Sequence, residues 1–325
     1  VLARSALSAD RTRRQHQRAH PRCNGPRWPL ELNAKANAGR ESLIGSLFMI
    51  TSMAFFAVED TFLKLATAEL PKGQAVTMTG FIGMLIFAGL AYLNNQPLWT
   101  RAYVSPTMRV RAVFEIGGRL SYTLAFILAP LLTATAILQA TPLVVVAGAA
   151  LFLGEKVGIR RWIAVIVGFF GVMLILRPWG AEFDTLTLLA VLGMLGFAGR
   201  DLATRASPPS LSNFQLGISG YLMLSIAGLL IWAADPRLVA LNLHQSLLLC
   251  IAICGGVFAY YALTTAMRRG DVASVTPWRY SRLIFGAAMG AIMFGESFDT
   301  MTLIGSVIVV ASGLFTLFRA RRKKR

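Results

Sequence analysis

From about residue 43 to residue 318 the chain alternates long apolar runs with short polar breaks. The runs fall at roughly 43–66, 75–93, 108–128, 132–153, 161–177, 185–205, 211–233, 246–267, 273–294 and 300–318. Each is about as long as a helix needs to cross a hydrocarbon core of about 30 Å. None shows the alternation over about ten residues that marks an outer-membrane barrel strand. The breaks carry turn residues: Pro71-Lys72-Gly73, Asn94-Asn95-Gln96-Pro97, Arg177-Pro178-Trp179-Gly180, Ser207-Pro208-Pro209 and Asp235-Pro236-Arg237. Trp99, Trp162, Trp179 and Trp232 sit near run ends, as an aromatic belt requires. The pattern predicts an all-α integral membrane protein of ten transmembrane helices.

Polar residues inside the runs repeat at one spacing. Glu59, Asp60 and Lys64 close the first run, and Arg200, Asp201 and Arg205 close the sixth. Asp201 follows Asp60 by 141 residues, Arg205 follows Lys64 by 141, and Gly295-Glu296 follows Gly154-Glu155 by 141. This register predicts two five-helix copies, residues 43–178 and 185–319, between a disordered basic cytoplasmic tail (1–42) and a short basic cytoplasmic tail (320–325). An odd number of spans per copy inverts the second in the membrane and places a substrate site near the midplane between them. It also sets Asp60 toward the outside and Asp201 toward the cytoplasm, as matching gate elements rather than one catalytic pair.

Composition agrees with the pattern. Hydrophobic residues make up 55% of the chain, charged residues 14%, and the mean hydropathy is +0.60. A soluble domain carries about a quarter charged residues. The net charge of +17 would suggest nucleic acid, but the basic residues lie in the tails and short loops, so no nucleic-acid partner is expected. The 94–111 loop (Arg101, Arg109, Arg111), Lys156, Arg160 and Arg161, Arg268-Arg269 and the Arg-rich end share one side of the membrane. This places both termini in the cytoplasm of a bacterial inner membrane, with the bilayer as solvent. The start shows no signal peptide, although its Arg-rich, acid-poor composition also fits an organellar presequence. Cys23, Cys250 and Cys254 form neither a disulfide framework nor a zinc pattern, and the last two read as small packing residues.

The fourth and ninth runs carry a resemblance. Ala136 to Pro142 (AILQATP) leads to Leu153-Gly154-Glu155-Lys156, and Arg279-Tyr280-Ser281-Arg282-Leu283 leads to Phe294-Gly295-Glu296-Ser297. With the duplication, these resemble the drug/metabolite transporter superfamily, specifically an EamA-type permease with two EamA repeats, over about residues 43–319. The resemblance implies the inverted ten-helix fold and transport, and leaves the substrate open. One departure is that the position matching Pro142 is Leu283, with Pro277 six residues earlier.

A charge at the bilayer centre costs about 2.5–3.5 kcal/mol on the lenient scale, so such groups pair or face a cavity. Asp60 and Lys64, Glu115 and Arg119, and Asp201 and Arg205 each stand four apart, the spacing of a local ion pair. Lys64 and Arg205 lie near run ends and can snorkel. Glu115, Arg119, Arg279 and Arg282 lie deeper and are predicted to bind substrate together with Gln139 and Tyr280. Arg279 and Arg282 suit an anionic or zwitterionic group, with Glu115 holding Arg119 in place. Glu59, Asp60 and Asp201 are the coupling or gating candidates, since acids buried among apolar helices can carry protons. Glu155 and Glu296, beside C-capping glycines, read as structural. The small-residue faces Gly286/Gly290 and Gly193/Gly196/Gly199 allow close helix contact, inside the chain or in a homodimer. Tyr122, Tyr260, Tyr261 and Trp278 either line the cavity or pack.

The expected function is secondary-active transport of a small polar organic metabolite by alternating access, coupled to protons or run as an exchange, with import or export left open. The alternatives are a membrane receptor or scaffold, or an intramembrane enzyme. Enzyme chemistry finds little support: His16, His20 and His244 all lie in the tail or a loop, no HExxH is present, and no Walker A sequence appears. No cofactor or metal is expected.

Overall fold

In a computed structural model the described residues are 28–152, 154, 157–177, 185–205, 211–268, 275–297 and 299–324. For residues 28–39, 161, 204, 205, 276 and 316–324 the backbone alone is described. Residues 1–27, Glu155 with Lys156, Pro178 to Gly180, Ser207 to Pro209 and Arg269 lie outside the description. The chain divides into a unit of residues 1–40 and a unit of residues 41–325. In the first, the backbone is helical from Trp28 onward. From that point to residue 42 the stretch LELNAKANAGRE is rich in helix formers and has no proline after Pro29.

The helices are α1 (Trp28–Glu69), α2 (Lys72–Leu93), α3 (Pro106–Leu128), α4 (Leu131–Leu138), α5 (Thr141–Phe152), α6 (Ile159–Leu176), α7 (Thr187–Arg205), α8 (Asn213–Ala234), α9 (Leu243–Arg268), α10 (Ser281–Phe294) and α11 (Thr300–Lys324). Single 3-10 turns at Arg101–Val104 and Thr276–Tyr280 precede α3 and α10. Among the described residues there is no strand. Five helical stretches are long and apolar enough to cross a membrane: Arg40–Glu69, Lys72–Leu93, Leu131–Phe152, Asn213–Ala234 and Leu243–Arg268. Trp162–Leu176 and Thr300–Phe315 are shorter apolar stretches.

The fourth and ninth runs are each broken near a proline. The chain bends at Gln139 and Ala140 before Thr141 and Pro142 open α5, where a proline in the first turn costs no helical hydrogen bond. Pro277 likewise opens the 3-10 turn before α10. Gln139 and Tyr280, 141 residues apart, meet at these breaks: Gln139 Nε2 donates to the Tyr280 carbonyl at 3.0 Å.

The main packing pairs join the two halves of the chain through small residues. On α2, Gly73 faces Trp232, Gly80 faces Ser225 and Gly83 faces Tyr221, so α2 and α8 run antiparallel in close contact. On α3, Gly118 meets Gly196 and Phe197 of α7, while Tyr122 meets Gly193 and Phe114 meets Gly199. α6 and α11 meet at Gly171 and Gly305, again antiparallel. Gly286 faces Thr135 of α4. The two glycine faces noted in the sequence therefore serve contacts within the chain. Gly255 and Gly256 of α9 lie against Phe55 to Glu59 of α1, and Ser52 Oγ donates to the Ala259 carbonyl at 2.8 Å. Cys250 and Cys254, read as packing residues, are exposed, because α9 turns its glycines rather than its cysteines toward α1.

A Cβ added at Gly80 would lie 2.7 Å from the Ser225 Cα, whereas one at Gly89 meets nothing within 4 Å. Gly80→Ala is expected to lower stability by about 1–3 kcal/mol through overpacking. Gly89→Ala is expected to hold or raise it by up to about 1 kcal/mol. Thermal unfolding midpoints of the two purified variants in detergent check this, and equal midpoints would contradict the close α2–α8 contact.

Candidate functional site

α1, α3, α7 and the start of α10 direct ionisable side chains into one cavity enclosing about 910 Å³ between atoms, counted to its open mouth. Its walls include Glu59, Asp60, Arg119, Arg200, Arg279 and Arg282, with Tyr122, Gln139, Tyr260 and Tyr280 between them. Its lining of apolar and aromatic walls with a few convergent polar groups is that of a small-molecule site.

Burial forces most of these charges into pairs, because an uncompensated ion away from water costs several kcal/mol. Arg282 Nη2 donates to Asp60 Oδ2 at 2.5 Å, and Tyr122 Oη donates to the same oxygen at 3.0 Å. The Arg282 guanidinium also lies 4.9 Å from the centre of the Phe56 ring. On the other side, Asp201 accepts from Arg200 Nη2 at 2.9 Å and from Arg279 Nη1 at 3.4 Å. Glu115, fully buried, sits 3.0 Å from Arg111 Nη2 and 3.7 Å from Arg200 Nη1.

Two groups stand apart from this network. Arg119 has no ion pair among the described residues; its guanidinium lies 5.9 Å from the Tyr221 ring and 6.0 Å from the Tyr260 ring, and its Nε is buried without a hydrogen-bond partner. Glu59 accepts a 3.4 Å hydrogen bond from Tyr221 Oη and has no ion pair among the described residues.

Two of the three local ion pairs expected from the sequence do not form. Glu115 pairs with Arg111 and Arg200 instead of Arg119, and Asp60 with Arg282 instead of Lys64. The side chain of Arg205, the expected partner of Asp201, lies outside the description. For Asp60 the guanidinium of Arg282 arrives from another helix at hydrogen-bonding distance, and Glu115 pairs four positions back, with Arg111, rather than four positions on. Nor do Asp60 and Asp201 sit at opposite faces: they bind Arg282 and Arg279, three positions apart on one segment. α1 continues nine residues past Asp60 to Glu69, about 14 Å of helix, so Asp60 is well inside the span rather than at its end.

Lys64 is held rather than snorkelling. Its Nζ lies 3.1 Å from Glu296 Oε1 and 3.0 Å from the Ala129 carbonyl oxygen, beside the Phe294 ring. Glu296 in turn accepts from the backbone N–H groups of Leu131 and Leu132, each at 3.0 Å. It therefore caps the N-terminus of α4 from the other half of the chain. Gly295 ends α10 in the left-handed conformation, φ 65°, as its place before Glu296 suggested.

Arg111, counted above among the loop charges, is buried in α3 beside Glu115. Its signal was available, since it stands one turn before Glu115. Tyr221 has no such signal, because its role comes from α8 packing on α2. Of the aromatic candidates, Trp278 is exposed and Tyr261 stacks on Phe214.

The EamA-like transporter family matches residues 43–177 and again residues 183–318. The chain belongs to the EamA-like transporter family. Its relatives include an S-adenosylmethionine uptake transporter of Rickettsia bellii, 29% identical over 86% of this chain and 95% of that one. A riboflavin transporter of Vibrio cholerae is 28% identical over 87% of this chain and 96% of its own length. A pseudopaline exporter of Pseudomonas aeruginosa is 25% identical over 82% and 94%. The family is one of transporters rather than enzymes.

Asp60→Asn and Arg282→Gln each leave a buried partner uncompensated and are expected to cost about 3–5 kcal/mol. The double variant is expected to cost less than the two singles together. Unfolding midpoints of the four proteins check this, and additive losses would contradict a direct Asp60–Arg282 pair.

Proposed function

We propose that the chain is a secondary-active transporter of a small polar organic metabolite, working by alternating access in a bacterial inner membrane. In this reading ten membrane spans form two inverted five-span repeats. α4 with α5 makes the fourth span, and the turn at Thr276–Tyr280 with α10 makes the ninth. The antiparallel contacts of α2 with α8 and of α6 with α11 support it, since each pair stands at matching positions in the two repeats. The basic residues of the loops and tails favour both termini in the cytoplasm.

The observation that carries the reading is the charged cavity lined by both halves where they meet, with Gln139 and Tyr280 joined across it. Two bundles rocking about such a junction would expose it to one side and then the other. The pairs Arg282–Asp60 and Arg279–Asp201 suit gate contacts that hold one arrangement. Glu59, open to the cavity, suits proton coupling. The relatives named for S-adenosylmethionine, riboflavin and pseudopaline support a metabolite as substrate and leave both directions of transport in use across the family.

Proteoliposomes holding the purified protein are expected to accumulate a metabolite drawn from a labelled extract, and empty liposomes are not. A protonophore is expected to lower that accumulation if protons drive it and to leave it unchanged if exchange does. Absence of accumulation in either direction of gradient would contradict transport.

A further inference from the structure

The turns that follow α2 and α8 begin 141 residues apart, at Asn94 and Asp235. Trp99, Arg101 and Arg109 of the first correspond in this register to Ala240, Asn242 and Cys250 of the second. Neither arginine is repeated, and neither is the tryptophan. Asn242 turns back on its own helix, where its Oδ1 accepts from the Gln245 backbone N–H at 2.8 Å. Arg237, the arginine of that second turn, is held by Asp235. Arg101 and Arg109, in contrast, are exposed and have no ion pair or side-chain hydrogen bond among the described residues. One turn closes its charge on itself, and the other leaves two charges for something outside the chain.

The surroundings of these two arginines are apolar. Tyr92, Leu93, Trp99 and Val104 are all more than half exposed. On α3, Arg109, Val113 and Gly117 stand four apart along one helical face. Val113 is exposed, and a Cβ added at Gly117 would meet nothing within 4 Å. This face therefore runs from a cation at the polar end of the helix into an open apolar strip. The turn that carries Arg101 is also held in place. Tyr103 Oη donates to the Gln215 carbonyl at 2.9 Å, and Gln215 Nε2 donates to the Pro97 carbonyl at 2.8 Å, so α8 fastens the turn from behind.

Resting on the membrane topology proposed above, which puts this turn at the cytoplasmic leaflet, we infer that residues 92–117 hold an anionic phospholipid. Its headgroup phosphate binds Arg101 and Arg109, and an acyl chain lies along Val113 and Gly117. A guanidinium presents a planar fork that suits phosphate oxygens. Trp and Tyr side chains favour the headgroup level of a bilayer, which sets Trp99 and Tyr92 beside the phosphate. A soluble phosphate would answer the arginines and leave the apolar strip bare. A neutral lipid would cover the strip and leave the net positive charge unanswered. A lipid of net negative charge does both, and the cytoplasmic leaflet is where such lipids draw basic residues at the end of a span.

The test is native mass spectrometry of the purified protein in detergent, with phosphatidylglycerol or phosphatidylcholine of the same acyl chains added. Phosphatidylglycerol is expected to be retained at the lower concentration. Arg101→Gln and Arg109→Gln are each expected to weaken its retention about fivefold, and the two together about 30-fold, as the loss of one and then two interfacial cations implies. Phosphatidylcholine retention is expected to stay as it is in the wild type. Arg237→Gln, the same charge change on the other turn, is expected to leave the preference unchanged. An equal hold on the two lipids, or a preference that the double variant keeps, would overturn the site. So would displacement of the lipid by inorganic phosphate at the same concentration. Should the double variant not fold, the two single variants decide, and an unchanged preference in both would overturn the site. Preferential retention by a protein that accumulates no metabolite in proteoliposomes would keep the lipid site and remove transport; accumulation by a protein without the preference would do the reverse.

Discussion

A guanidinium inside a membrane bundle is costly without a carboxylate, and in this protein two of the pairs that answer it join different helices. The Arg282–Asp60 contact ties the start of α10 to the middle of α1, and Arg279–Asp201 ties the same segment to α7. One short stretch therefore touches the charged helix of each repeat. The cavity sits between these bridges because the helices carrying them cannot close on each other without burying more charge. Removing the Arg282–Asp60 bridge would do more than loosen packing, since the remaining ion would be left without a counter-charge at hydrogen-bonding distance.

The broken helices follow from the same constraint. Backbone groups released at Gln139 and Tyr280 would be costly in hydrocarbon, and the hydrogen bond from Gln139 to the Tyr280 carbonyl satisfies one of them across the junction. Glu296 does the same for the N-terminus of α4 and is held there by Lys64. The Gly-Glu pair that closes α10 is thus a fastening between the halves. It places α4 and its Gln139 where the cavity needs them.

Much of this was legible in the sequence. The apolar runs located the helices, and the spacing of 141 residues exposed the duplication that the family match covers twice. The charged residues that line the cavity were also identifiable, because an ion in an apolar run is conspicuous. Their partners were not. Helical spacing suggested Asp60 with Lys64 and Glu115 with Arg119, and it cannot register an arginine brought in from a helix more than 200 positions away, as Arg282 is brought to Asp60. Arg111 was misplaced for a related reason: at the start of its run it looked like a loop charge, and only in the fold does it lie buried against Glu115 and Tyr260.

The central claim is that this cavity is the path a substrate takes, open to one side of the membrane and then to the other. Thr123, buried in α3 on the cavity wall, is close in size to cysteine and takes no part in the charge pairs. In a chain with Cys23, Cys250 and Cys254 replaced by alanine, Thr123→Cys can be labelled in proteoliposomes by a membrane-impermeant thiol reagent applied to one face at a time. The account predicts labelling from either face, with rates that shift in opposite directions when the transported metabolite is added. Labelling from neither face, or from one face at a rate the metabolite leaves unchanged, would contradict it.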